Sequence, residues 1–147
     1  HHYPTKESLT MAAIHYALNL GRDKSMKRAN STGDDIRATL LAMAEDFRVF
    51  FLGNQFWVSL DITMDAAKDA SLAPEIRAIV AEARKPVYDL WTQSLARCGW
   101  TKDRAHNAVT STAALISGFA IRTLWNDDAG ELDRMVAGWI AHIETAE

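Results

Sequence analysis

A chain of 147 residues, 48% hydrophobic and 24% charged with seven Gly and three Pro, has the composition of one ordered domain with a sizeable core, which excludes a disordered chain. Its net charge of −3, its pI of about 5.9 and the lack of any basic stripe argue against an independent nucleic-acid-binding module. The single cysteine, Cys98, excludes a disulfide framework or a cysteine-based zinc site within one chain; the longest near-apolar run, 113–121, is too short to span a bilayer, so a reducing cytoplasm and no membrane partner are expected.

The hydrophobic period is helical throughout and predicts an all-α fold of about six helices. Pro4 biases Tyr3 toward extended backbone, Thr5 is a good N-cap and Glu7 suits the first turn, so a helix starts near Lys6. It runs to about Leu20 with Leu9, Ala13, Tyr16 and Leu20 on one stripe, and has a weaker continuation past Gly21 to about Arg28. Asn30 to Gly33 form a loop, and Asp34-Asp35 open the second helix, which carries Ile36, Leu40, Met43, Phe47 and Phe50 or Phe51. Gly53 stops it and Asn54 caps the third helix, about 55–69, with Trp57, Leu60, Met64 and Ala67 inward.

The fourth helix, about 74–98, restarts at Pro74-Glu75 and turns Ile76, Val80, Ala83, Val87, Leu90, Trp91 and Ser94 inward; Pro86 should kink it. Gly99, Trp100 and Thr101 spell a corner of C′ glycine, apolar C″ residue and new N-cap. The fifth helix, about 102–125, has one stripe of Ala105, Val109, Thr112, Ile116, Phe119 and Thr123. Its opposite stripe is Thr110, Ala113, Ser117, Ala120, Ile121 and Leu124, so its second half is apolar or small on both faces and a second subunit is the expected cover. The last helix shows Leu132, Met135, Val136, Trp139, Ile140 and Ile143 on one stripe.

No phosphate loop, zinc-protease motif or nucleophile elbow occurs, so no catalytic residue is assigned. Asp103 and His106, three apart on one helix, make at most half a metal site, and no metal is expected. His15 and His142 are lone helical histidines. The clearer signal is aromatic and methionine-rich: Met43, Phe47, Phe51, Trp57, Met64, Tyr88 and Trp91 come from three consecutive helices. Each alone reads as core; together they also suit the lining of an apolar pocket, with Tyr88 as its polar handle and Asn107 and Thr110 adding hydrogen bonds from the fifth helix.

Tyr3, Thr5, Lys6, Glu7 and Leu9 resemble a signature of the tetracycline-repressor (TetR) family of bacterial regulators, where an aromatic residue, a short turn, a Lys-Glu pair and an apolar residue follow the DNA-reading helix. Phe56-Trp57, Pro74-Glu75-Ile76-Arg77, the Gly99 corner, Ile116-Ser117-Gly118-Phe119 and Trp139 resemble the family's regulatory domain less specifically. The resemblance implies that residues 1–5 end a helix-turn-helix domain otherwise missing here, and that 6–147 form a ligand-binding and dimerisation domain. It implies a homodimer joined by the last two helices as a four-helix bundle, adding Trp139 and Ile143 to the expected interface. His2, Tyr3 and Lys6 would touch the DNA backbone, although Lys6 reads equally as a solvated lysine, and His1-His2 as an affinity-tag remnant. The implied function is that of a repressor whose small, largely apolar or aromatic effector moves the dimer out of its DNA-binding state. Operator DNA would be held through the missing domain, and no cofactor is expected. The alternative is a small all-helical metal-binding or enzymatic bundle.

Overall fold

The computed structural model describes residues 3–19, 21–71, 73–126 and 128–146, leaving aside the side chains of Lys6, Glu7, Ile14, Ala17, Leu18 and Ala129. Seven helices and no strand occur among these residues: α1 (Lys6–Asn19), α2 (Arg22–Asn30), α3 (Ile36–Phe51), α4 (Asn54–Ala66), α5 (Ala73–Arg97), α6 (Lys102–Arg122) and α7 (Ala129–Thr145). The expected first helix is thus two. The division falls at Gly21, the N-cap of α2, which offers no capping side chain and whose carbonyl accepts from the Ser25 hydroxyl at 3.1 Å. Glycine inside a helix costs about 1 kcal/mol relative to alanine, which makes this the natural point of division.

Side chains fix most helix starts. Ser8 N–H donates to Thr5 Oγ1 at 3.1 Å while Thr5 N–H donates to Ser8 Oγ at 3.2 Å, a capping box in which Ser8 takes the usual glutamate's place. Asp35, Thr101 and Asp128 cap α3, α6 and α7 through the N–H groups of Ala38, Arg104 and Glu131. Gly53, rather than Asn54, is the N-cap of α4; a Cβ there would stand 2.8 Å from the Val49 carbonyl oxygen, so the backbone approach itself requires glycine. α5 ends as expected, with Gly99 at φ 95° and Trp100 N–H reaching back to Leu95 O at 3.4 Å. Pro86 does not end α5, which continues on both sides of it.

The core lies where α3, α5 and α6 meet, with α7 closing one side and α2 and α4 the other. Leu40 and Met43 of α3, Trp91 of α5, and Val109 and Ile116 of α6 are fully buried in it, as their spacing predicts, and Leu95 of α5 joins them. Leu132, Ile140 and Ile143 bury the inner stripe of α7. Arg104 ties the start of α6 to the end of α7, its guanidinium donating to the Ile143 and Glu144 carbonyls and stacking 4.1 Å from the Trp100 ring.

Two expected stripes need correction. Leu9 and Tyr16 of α1 are exposed, and Leu20 lies outside the described residues. α1 instead lies against α4 and α5, where Met11 joins Ile76, Ile62 and Ile79 in a second, smaller apolar cluster. Apolar residues surround α1 rather than gathering on one side, so spacing alone does not single out its buried face. On α4 the buried residues are Phe56 and Ser59, one position before the expected Trp57 and Leu60, which are half-buried; Met64 and Ala67 face solvent. No helix among the described residues is long and apolar enough to cross a membrane.

Candidate functional site

A cavity of about 210 Å³ opens between α2, α3 and α5, with Gln55 of α4 at its edge. The long stripes of α3 and α5 produce it. Positions 46, 47, 49, 50 and 51 of α3 and positions 83, 84, 87 and 88 of α5 line it, while Met43 and Trp91 are fully buried core. One helical turn nearer the end of α3 the two helices are bridged by short α2 instead of a large side chain, and the space remains.

The walls are aromatic. Phe47 meets Tyr88 edge-on at 5.8 Å, and Phe51 packs against Phe47, Phe50 and Phe56 at 6.2, 5.1 and 5.0 Å. The rim is charged. Asp46, 6% exposed, accepts from Arg28 Nη1 at 2.5 Å and from the Trp91 indole N–H at 2.9 Å. Both of its oxygens are therefore engaged, and the ion pair pins α2 to α3. Arg84 crosses the ring of Phe51 at 5.8 Å, and its Nε is buried with no hydrogen-bond partner among the described residues. Next to it, Lys85 donates to Asp89 at 2.5 Å on the outer face of α5, and that bond holds the Lys85 ammonium pKa above its ordinary value.

Of the residues expected to line a pocket, Phe47, Phe51 and Tyr88 come together on its wall. Met43 and Trp91 lie just beneath as core, Trp91 also holding Asp46 in place. Trp57 packs beside Phe56 at 5.5 Å but away from the cavity. Met64, 62% exposed, borders a separate and more polar pocket of about 570 Å³ between α1, α4 and Ile76 of α5. Asn107 is exposed, and the Thr110 hydroxyl is spent on the His106 and Asn107 carbonyls of its own helix. Arg84, Asp46 and Arg28 escaped the sequence reading, and Phe50 was read only as part of the α3 stripe. A signal existed for two of them: Asp46 interrupts the apolar stripe of α3 three residues after Met43, and Arg84 sits four residues before Tyr88 on the inner side of α5.

The residues expected at a dimer interface also divide. Ala113, Ala120 and Ile143 are buried within the single chain, Thr110, Ser117 and Trp139 are half-buried, and only Ile121 and Leu124 are exposed. Trp139 spends its indole N–H on Thr112 Oγ1 at 2.8 Å. The outward face of α6 is instead Ser111, Ala114, Gly118 and Ile121, and that of α7 is Arg134, Gly138 and Ala141, both at helical spacing. Tyr3 is exposed before α1; His2 and the Lys6 side chain lie outside the described residues. Asp103 and His106 are exposed at the start of α6, and among the described residues no group of three His, Cys, Asp or Glu stands close enough to share a metal.

Fold and site together define an all-helical domain with an aromatic, cation-edged cavity between its α2, α3 and α5 helices. The chain is 29% identical over 137 residues to the HTH-type transcriptional regulator CymR of Pseudomonas putida, an alignment covering 92% of this chain and 66% of that relative's length. The chain therefore spans just under two thirds of that relative's length. No family model and no solved structure matches the chain.

Proposed function

We propose that this chain is the effector-binding and dimerisation part of a TetR-type transcriptional repressor. The observation that carries the reading is the aromatic cavity walled by α2, α3 and α5, in a chain similar to a transcription regulator along nearly its whole length. Small-molecule sites are typically concave and mostly apolar, with a few placed polar groups. Here Phe47, Phe50, Phe51 and Tyr88 supply the first property and Ser25, Gln55 and Arg84 the second.

The mechanism is a coupled equilibrium. α2 forms one wall of the cavity and follows α1, the helix whose opening resembles the family's segment after the DNA-reading helix. An effector that binds more tightly when α2 is displaced from α5 favours a dimer whose DNA-binding heads no longer match two half-sites. It can shift the dimer only by its difference in affinity for the two states, and moving 1:99 to 99:1 takes about 5.5 kcal/mol. Replacing Tyr88 with alanine in the protein with its DNA-binding head is expected to leave operator binding intact while raising the effector concentration for release by about tenfold or more, the cost of one lost aromatic contact. An unchanged response in a promoter-reporter titration would contradict the assignment of the cavity.

The outward faces of α6 and α7 support the dimer. Ser111, Ala114 and Gly118 on one and Gly138 and Ala141 on the other are small enough for helices of two copies to approach closely. A Cβ at Gly118 would meet nothing within 4 Å in the isolated chain, so the protomer itself does not require glycine there. Ala114→Arg is expected to turn the dimer into a folded monomer, with sedimentation reporting the mass and circular dichroism the retained helices. A dimer that survives the arginine would place the interface elsewhere.

A further inference from the structure

Resting on the reading of the cavity as an effector site, we propose that α2 is a hinged lid over it, with Gly21 as the hinge and the Arg28–Asp46 ion pair as the latch. A moving wall is needed because so little of the lining meets solvent. Phe47 and Phe51 are 3% and 2% exposed, and Arg84 Nε is buried. A ring reaches such walls only when one of them moves. Of the three helices, α3 and α5 are fixed in the core through Leu40, Met43, Trp91 and Leu95, all fully buried.

α2 is held far more lightly. Gly21, Arg22, Lys24, Ser25 and Arg28 give the cavity one whole side, yet Ala29, with a single methyl group, is the one buried apolar side chain of this helix. The Ser25 hydroxyl is bonded within its own segment, to the Gly21 carbonyl, and keeps that partner if the helix moves. Among the described residues, the bond from Arg28 to Asp46 at 2.5 Å is the one side-chain hydrogen bond from α2 to another helix. Swinging α2 off α5 therefore frees one methyl of its own and breaks one ion pair, whose charges regain water. The aromatic wall left uncovered favours reclosing, so the lid rests shut. Gly21 fits the hinge. It lies in the right-handed helical region, φ −82° and ψ −18°, and a Cβ there would meet nothing within 4 Å. Neither the backbone nor the packing of the closed form requires glycine, whereas a joint that leaves the helical region gains from it. On the other side of the joint, α1 is held against α4 and α5.

The test joins hydrogen exchange, read by mass spectrometry, to stopped-flow association of two aromatic probes, 2-naphthamide and 2-naphthoate. Both are measured on the unaltered protein, Gly21→Ala, Arg28→Met and Arg28→Lys. After correction for intrinsic rates, the amides of α2 are expected to exchange at least about tenfold faster than those of α3, through an opening that leaves α3 closed. Gly21→Ala should slow α2 exchange by about fivefold, the helix preference of alanine over glycine. Arg28→Met should speed it by about tenfold or more, and Arg28→Lys, which keeps the charge, should lie between. Association of both probes should change by the same factors, because only open molecules admit them. Exchange of α2 as slow as that of α3 would overturn the lid and leave the effector cavity standing. Association that stays constant while α2 exchange changes would place the entrance elsewhere and overturn the lid. Binding of neither probe to the unaltered protein would overturn the effector reading, and the lid with it.

Discussion

Asp46→Ala is expected to destabilise the protein by about 3–5 kcal/mol, the range for removing one partner of a buried ion pair. The size follows from what the carboxylate holds. Asp46 is 6% exposed, with one oxygen on Arg28 and the other on the indole N–H of fully buried Trp91. Alanine leaves a partly buried guanidinium without its counter-charge and a buried N–H without an acceptor, while also freeing α2 from α3. Asp46→Asn keeps an acceptor for Trp91 and is expected to cost less. Replacing both members of the pair with apolar residues, Arg28→Met with Asp46→Leu, should cost less than Asp46→Ala, because no charge is then stranded. Urea denaturation of the three variants measures the order. Equal stability of Asp46→Ala and the parent would show that the pair is solvated.

Trp91→Ala should lower stability by about 3–5 kcal/mol, the usual cost of deleting a large buried ring. Trp91 is fully buried and belongs to the same apolar cluster as Leu40, Met43, Leu95 and Val109, so deleting its ring leaves a void in close-packed core. In a chain of this size the loss lowers the thermal midpoint by roughly 6–20 °C, at about 2–4 °C per kcal/mol. Because Trp91 and Asp46 share a hydrogen bond, the double variant should fall short of the sum of the two single effects by about 0.5–3 kcal/mol. Trp91→Phe, which keeps most of the ring volume, separates packing from the lost N–H bond. An undiminished midpoint for Trp91→Ala would mean that this position lines open space rather than core.

The helices were legible because their punctuation is strong. The Gly99 corner, the caps at Asp35 and Thr101, and the stripes of α3, α5, α6 and α7 all follow from spacing and turn chemistry, and all occur in the structure. The faces of α1 and α4 were less legible, since apolar residues nearly surround both and only tertiary packing selects Met11 over Leu9 or Phe56 over Trp57. The cavity was half legible. A run of aromatic and methionine residues on neighbouring helices predicts that they meet, and Phe47, Phe51 and Tyr88 do meet. It does not say where packing is complete, so Met43 and Trp91 fall in filled core and Met64 on the surface. Charged residues on inner stripes, Asp46 and Arg84, were the overlooked clue, because a buried charge needs a partner and so marks where one is supplied or awaited.

The most direct test of the central claim, that α2, α3 and α5 enclose an effector site in a dimeric regulator, is native mass spectrometry of the purified protein titrated with 2-naphthoate and 2-naphthamide. The expected result is a dimer that gains the mass of one aromatic molecule per protomer, and loses that gain when Tyr88 is replaced by alanine. A monomer that gains mass from neither compound would contradict it.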